Sequence, residues 1–157
     1  MAIAFIGLGS NLGDRQKNLT TALERLSRLG STKIVQSSGW MEAAPAGGPP
    51  QGMFLNGVAQ IETRLAPQRL LGTLQEIEQN LGRPKAHPPL SARIIDLDLL
   101  SYDQRILQEP DLILPHPRMQ ERIFVLAPLS EIAPDWTHPV LKKSAAELLE
   151  ILVHGNR

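Results

Sequence analysis

The 157-residue chain contains no cysteine. That excludes a disulfide framework and any thiolate metal site. No apolar run approaches the ~18–20 residues that cross a bilayer. Met1-Ala2-Ile3-Ala4-Phe5 carries neither a basic flank nor a cleavage-type segment. The expectation is a soluble, cytoplasmic protein. Neither sign of charge is in excess, with Lys plus Arg and Asp plus Glu at 16 each. A protein that coats a nucleic acid carries a large positive surplus, so no nucleic-acid or membrane partner is expected. Any anionic ligand must be held by a local cluster. No G-x-x-x-x-G-K-[ST] occurs, which excludes a P-loop enzyme. Gly7-Leu8-Gly9 opens like a dinucleotide fingerprint, but Gly13 falls one place too late. Aromatic residues are scarce, with three Phe, two Trp and one Tyr.

What is present reads as one domain spanning residues 1–157, within the usual domain size. Ala2 to Gly9 is a short apolar run of strand character, broken by the turn residues Gly9 to Asp14. From Arg15 to Leu29, apolar residues recur at helical offsets, at Leu19, Ala22, Leu23, Leu26 and Leu29, and Gly30 suits the helix end. Lys33 to Met41 and Phe54 to Glu62 read as strands, separated by the Pro- and Gly-rich loop Ala43 to Gly52. Pro67 fits the first turn of a second helix, which carries Leu70, Leu71, Leu74, Ile77 and Leu81 and stops at Gly82. A second proline-rich loop spans Arg83 to Ala92, and Ile94 to Tyr102 returns as a strand. Leu112 to Leu114 is a short strand candidate, and helical pieces are expected between Glu121 and Ile132. Ser144 and Glu147 form a capping-box pattern at the start of a last helix. The order β-α-β-β-α-β with a helical tail predicts an α+β fold of the ferredoxin-like, split β-α-β type, a mixed or antiparallel sheet with helices packed on it.

The sharpest local feature is Arg93-Ile94-Ile95-Asp96-Leu97-Asp98-Leu99-Leu100. On a strand, Asp96 and Asp98 share a face, with Cα atoms ~6.6 Å apart. Two carboxylates at that spacing suit one or two hard cations such as Mg²⁺, which completes its shell from substrate phosphates. An isolated Asp-x-Asp is more often just a solvated strand face. Asp is depleted in strands, however, and two like charges on one face need an offset. Arg83, Lys85 and Arg93 enclose the second proline-rich loop, and Arg122 follows His116. Arg donates two parallel hydrogen bonds to phosphate. Each cation alone reads as surface charge; a carboxylate pair beside several cations fits a triphosphate. His116, between Pro115 and Pro117, reads as structural or as a donor to a phosphate or adenine. His87, His138 and His154 show no metal-ligand spacing.

Four segments together resemble the 6-hydroxymethyl-7,8-dihydropterin pyrophosphokinases of folate biosynthesis over nearly the whole chain. They are Gly9-Ser10-Asn11-Leu12-Gly13-Asp14-Arg15; Phe54-Leu55-Asn56; Leu81-Gly82-Arg83 through Arg93-Ile94-Ile95-Asp96-Leu97-Asp98; and Pro115-His116-Pro117-Arg118-Met119 with Arg122 and Phe124. The resemblance implies transfer of the β,γ-pyrophosphate of ATP to the substrate's hydroxymethyl oxygen, releasing AMP. It implies two magnesium ions on Asp96 and Asp98, with ATP as co-substrate. Arg83, Arg93, His116 and Arg122 match positions that contact ATP, and Arg83 and Arg93 join the aspartates in the catalytic set. Lys85 stands where the family often has another Arg in a mobile loop. Phe54 and Phe124 match the aromatic pair that sandwiches the pterin. Asn56 matches a hydrogen-bonding partner of its edge, and the loop containing Ala43 and Ala46 would supply backbone hydrogen bonds to that edge. A monomer is expected.

The chain departs from the family in several places. Leu90-Ser91-Ala92 replaces a usual Trp-Gly-Pro, Pro117 replaces a common aromatic, and Ala43 stands where Thr is frequent. None touches the metal pair. Two other classes share parts of the pattern. Polymerase-β-like nucleotidyltransferases pair Gly-Ser with Asp-x-Asp, but roughly a dozen residues apart. A ferredoxin-like regulatory module would bind ATP without turnover.

Overall fold

The computed structural model describes residues 1–45, 51–82 and 93–155. Its main sheet holds five strands: β1 (Ala2–Ser10), β2 (Thr32–Ser37), β3 (Met41–Ala43), β4 (Phe54–Thr63) and β5 (Asp96–Tyr102). The order is β2-β4-β1-β5, with β3 also paired to β4, and every pairing is antiparallel. Helix α1 (Arg15–Ser27) links β1 to β2, and α2 (Pro67–Asn80) links β4 to β5. In each case a helix connects strands that are not neighbours or leaves room for one between them, which is the split β-α-β arrangement expected of the sequence.

Strand alternation divides the apolar residues between two cores. Ala4, Ile6 and Leu8 of β1, Ala59 and Ile61 of β4, and Leu97 and Leu99 of β5 pack under α1 and α2. These helices contribute Leu19, Ala22 and Leu26, and Leu70, Leu74 and Ile77. Each such Leu or Ile removed from water contributes about 1.5–3 kcal/mol. On the other face, Phe5, Val58 and Leu100 meet Met119, Val125, Leu129 and Ala145. Those last residues belong to a short 3₁₀ turn (Met119–Glu121), to α3 (Ile123–Ile132) and to α4 (Ala145–His154). The capping box at Ser144 and Glu147 is formed in both directions, and Pro67 occupies the first turn of α2.

The structure corrects the sequence reading in three places. The single strand expected over Lys33 to Met41 is two strands. Its backbone leaves the ladder at Ser38, whose N–H donates to Val58 O and whose Oγ accepts from Val58 N. Trp40 then crosses directly over Gly57, where any Cβ would come within 2.5 Å of its ring. The chain leaves α1 through Ser31, at φ +65, and Gly30 has no positive φ. A β6 strand (Leu107–Glu109) pairs with β7 (Leu112–Leu114) in a separate hairpin; its polar composition gave no strand signal. The second proline-rich loop, Arg83 to Ala92, and Ala46 to Pro50 lie outside the described residues. Among the described residues, no helix is long and apolar enough to cross a membrane.

Candidate active site

On the α3 side of the sheet, the alternation that buries Phe5 next presents Gly7 and then Gly9. Two missing side chains at the centre of the sheet leave a hollow. Gly9 lies between Asn56 of β4 and Asp96 of β5, and Gly7 between Val58 and Asp98. The hollow is a cleft of about 270 Å³, lined by these glycines, Phe54, Asn56, Arg93, Asp96, Asp98, His116, Arg122 and Phe124, with Ala44, Pro45, Gln51 and Val125 at its margins. Gly9 is required by close approach: a Cβ there would sit 2.8 Å from Asn56 Oδ1 and 3.4 Å from the Phe54 ring.

The β5 wall is acidic. Asp96 pairs with Arg93, Nη1 to Oδ1 at 3.1 Å. Burial pushes the Asp98 carboxyl up to about 7, with the neighbouring Asp96 charge and then Glu78 adding to the rise, against the pull of Arg122 and Arg93. A carboxylate pair held at this cost is the donor set a divalent cation stabilises, because the ion replaces like-charge repulsion with attraction. Among the described residues no cluster of three metal-ligating side chains occurs. Two carboxylates are a donor set that suits Mg²⁺, which takes few protein ligands and completes its shell from water and phosphate. Glu78, itself buried in α2, accepts a hydrogen bond from Leu97 N at 2.7 Å and so fixes the backbone between the two aspartates.

The basic wall faces it. The Arg122 guanidinium lies 5.6 Å from the centroid of the Phe124 ring. Burial lowers His116 to about 4, helped by the nearby Arg122 charge, so its imidazole is neutral. Its Nδ1 accepts from Arg118 N at 3.3 Å, which leaves the proton on Nε2 as a donor. Two buried nitrogens, Asn56 Nδ2 and Arg93 Nε, have no partner among the described residues. Such donors in a cleft are ready for a polar ligand.

Of the sequence-derived site residues, Asp96, Asp98, Arg93, His116, Arg122, Phe54, Asn56 and Phe124 all line this one cleft. Ala43 does not; it ends β3 opposite Phe54, and the lining is made by the next residues, Ala44 and Pro45. Arg83, Lys85 and Ala46 lie outside the described residues. Sequence reasoning gave no role to Asn11, which it placed among the turn residues and in the first family-like segment. Its Oδ1 accepts from Arg93 N at 2.7 Å, its backbone N–H donates to Arg93 O at 3.0 Å, and its Nδ2 donates to Gln51 Oε1 and Gly52 O at 2.7 and 3.1 Å. It thus ties the residues just before β5 to those just before β4. These partners are distant in sequence, so no local pattern could have announced them. His138, set aside as a ligand, is structural: its Nδ1 accepts from Val140 N and Leu141 N.

Residues 5–134 match the family profile of 7,8-dihydro-6-hydroxymethylpterin-pyrophosphokinase (HPPK). The chain belongs to this family. It is 41% identical to the 2-amino-4-hydroxy-6-hydroxymethyldihydropteridine pyrophosphokinase of Synechocystis, over 94% of this chain and 74% of that protein. With the Bacillus subtilis protein of the same name it shares 42% identity, over 83% of this chain and 77% of that one. The fold also matches the Plasmodium falciparum HPPK-DHPS crystal structure with pteroate, at a TM-score of 0.77 and 16% identity. That match covers 98% of this chain and 42% of the solved one, so the chain spans less than half of that larger protein. Membership makes the enzyme a pyrophosphokinase of folate biosynthesis, which moves pyrophosphate from ATP to hydroxymethyldihydropterin.

Proposed function

We propose that this cleft carries out the transfer with ATP on the β5 side and the pterin on the β4 side, Gly9 lying between them. The observation that carries this reading is that the acidic pair and the aromatic pair line one hollow, Asn56 and Asp96 flanking the same glycine. Asp96 and Asp98 would hold two magnesium ions shared with the triphosphate. Bound there, such ions would supply charge neutralisation and acidification of a hydroxyl.

Arg93 and Arg122 donate to phosphate oxygens, where a planar fork matches the anion. His116 offers a neutral Nε2–H to the nucleotide. Arg83 and Lys85 complete the cationic set. Phe54 and Phe124 stack on the two faces of the pterin ring, and Asn56 Nδ2 donates to its edge alongside the backbone near Ala44, Pro45 and Ala46. The hydroxymethyl oxygen attacks the β-phosphorus of ATP and loses its proton. The bond from that phosphorus to the α,β-bridging oxygen breaks, and AMP leaves. No side chain described in the cleft is placed as a compelling general base, so positioning and electrostatics do the work. A cytoplasmic monomer completes the reading.

The test is direct. Protein, ATP, Mg²⁺ and reduced hydroxymethylpterin should yield AMP stoichiometrically with pyrophosphorylated pterin, and Asp98→Ala should abolish that turnover without unfolding the chain. Release of pyrophosphate instead of AMP, or robust AMP formation by Asp98→Ala, would overturn the assignment.

A further inference from the structure

Arg15 lies outside the cleft. It opens α1, and α1 packs on the opposite face of the sheet. Its guanidinium nevertheless reaches two stretches of chain that adjoin cleft-lining residues. Nη1 donates to Met53 O at 3.0 Å, immediately before β4, and Nη2 donates to Glu42 Oε1 at 2.6 Å, in the middle of β3. Glu42 is registered opposite Leu55, which packs toward the α1 side, whereas its neighbour Ala43 is registered opposite Phe54 on the cleft side. Between Glu42 and Met53 run Ala44, Pro45 and Gln51, three of the lining residues.

We propose that Arg15 is a positioning residue for the pterin: a clamp behind the sheet that ties β3 to the start of β4 and so holds the lining residues beside them, Ala44, Pro45 and Gln51, in their binding geometry. The proposal rests on the reading of this wall as the pterin side. A fork with fixed geometry is what the task needs, since one planar group must satisfy two acceptors on two chain ends at once. Global stability is a poor explanation for the contact. Arg15 and Glu42 side chains are 32% and 55% exposed, and exposed ion pairs contribute little to folding. Their effect falls on the placing of a short strand and of the lining residues beside it, which a ligand otherwise has to supply from its own binding energy. β3 has only three residues in its ladder, so it has little other means of fixing its own end.

The experiment measures pterin and Mg·ATP affinities separately, by fluorescence titration, for Arg15→Ala, Arg15→Lys, Glu42→Ala and the Arg15→Ala/Glu42→Ala pair. Arg15→Ala should weaken pterin binding about fivefold or more while changing Mg·ATP affinity less than about twofold. Arg15→Lys, which keeps the charge but loses the planar fork, should fall between. The double variant should lose less than the sum of the single losses, because the two groups share one contact. A pterin affinity within about twofold of the parent in both Arg15 variants, or equal losses for both ligands, would overturn the clamp. Phe124→Ala, run alongside, separates the two layers of the argument. If it weakens pterin binding and Arg15→Ala does not, only the clamp fails; if it leaves pterin binding intact, the pterin reading itself fails and takes the clamp with it.

Discussion

The two faces of the sheet are built by the same alternation along β1, β4 and β5, yet one is filled throughout and the other is filled at one end and hollow at the other. Under α1 and α2, β1 supplies Ala4, Ile6 and Leu8, and the neighbouring strands supply aliphatic side chains throughout. Under α3 and α4, β1 supplies Phe5 and then two glycines, and β5 supplies two aspartates where its other face has leucines. The filled face stabilises the fold, and its surplus supports a hollow face that burial and like charges make unfavourable. Residue parity along each strand thus confines the chemistry to one face, whose other end still packs apolar against α3 and α4.

That contrast can be broken from either side. The largest effect expected is on the filled face, where Leu74 is fully buried: Leu74→Ala should lower unfolding free energy by about 2–5 kcal/mol in urea titrations. On the hollow face the sign should reverse. The folded state raises the Asp98 carboxyl from 3.8 to about 7. A carboxyl shifted upward favours the fold in its protonated form, so its contribution is fully present below 3.8 and is lost as pH rises to about 7. Asp98→Asn should therefore melt several degrees above the parent at pH 8 in the absence of divalent cations, and the gap should close toward pH 4. A lower melting point at pH 8 would mean that the site carries no strain of this kind.

Gly9→Ala probes the floor of the cleft. Its Cβ would displace Asn56 and press on Phe54, so pterin affinity should fall about tenfold or more, equivalent to about 1.4 kcal/mol, in a direct titration. An unchanged affinity would show that the hollow tolerates a methyl and that Asn56 moves freely. The smallest effect should come from α4. Ser144→Ala should cost about 1 kcal/mol by loss of the cap. Hydrogen bonds from the Ser144 backbone N–H and hydroxyl lower the Glu147 carboxyl below its ordinary 4.5. A carboxyl shifted downward contributes above that value and loses the contribution as pH falls through its folded pKa. The difference between Ser144→Ala and the parent should therefore shrink in acid, as thermal melts across pH 3 to 7 would reveal.

Much of this was legible in the chain because the signals are local. Alternation alone puts Asp96 and Asp98 on one side of a strand, Pro67 and Ser144 mark helix starts, and the leucine spacing of α2 names its buried stripe. The split between β2 and β3 was not legible, because it depends on Trp40 finding Gly57 across the sheet. Asn11 and Arg15 lie in the motif that carries the family resemblance, yet their roles come from Gln51, Arg93, Glu42 and Met53, partners set by the folded chain. The cleft-lining backbone is Ala44 and Pro45 and not Ala43, because pairing with Phe54 draws Ala43 into β3.

The strand that floors the cleft precedes both of its neighbours, which come from much later in the sequence, with β4 and β5 pairing to β1 across long separations. Contacts of that kind close slowly, because the intervening chain must be ordered before they form. The nascent β1, apolar and with both ladder edges open, must therefore wait unpaired during synthesis. Its early exposure is the stage at which this protein is most open to misassembly.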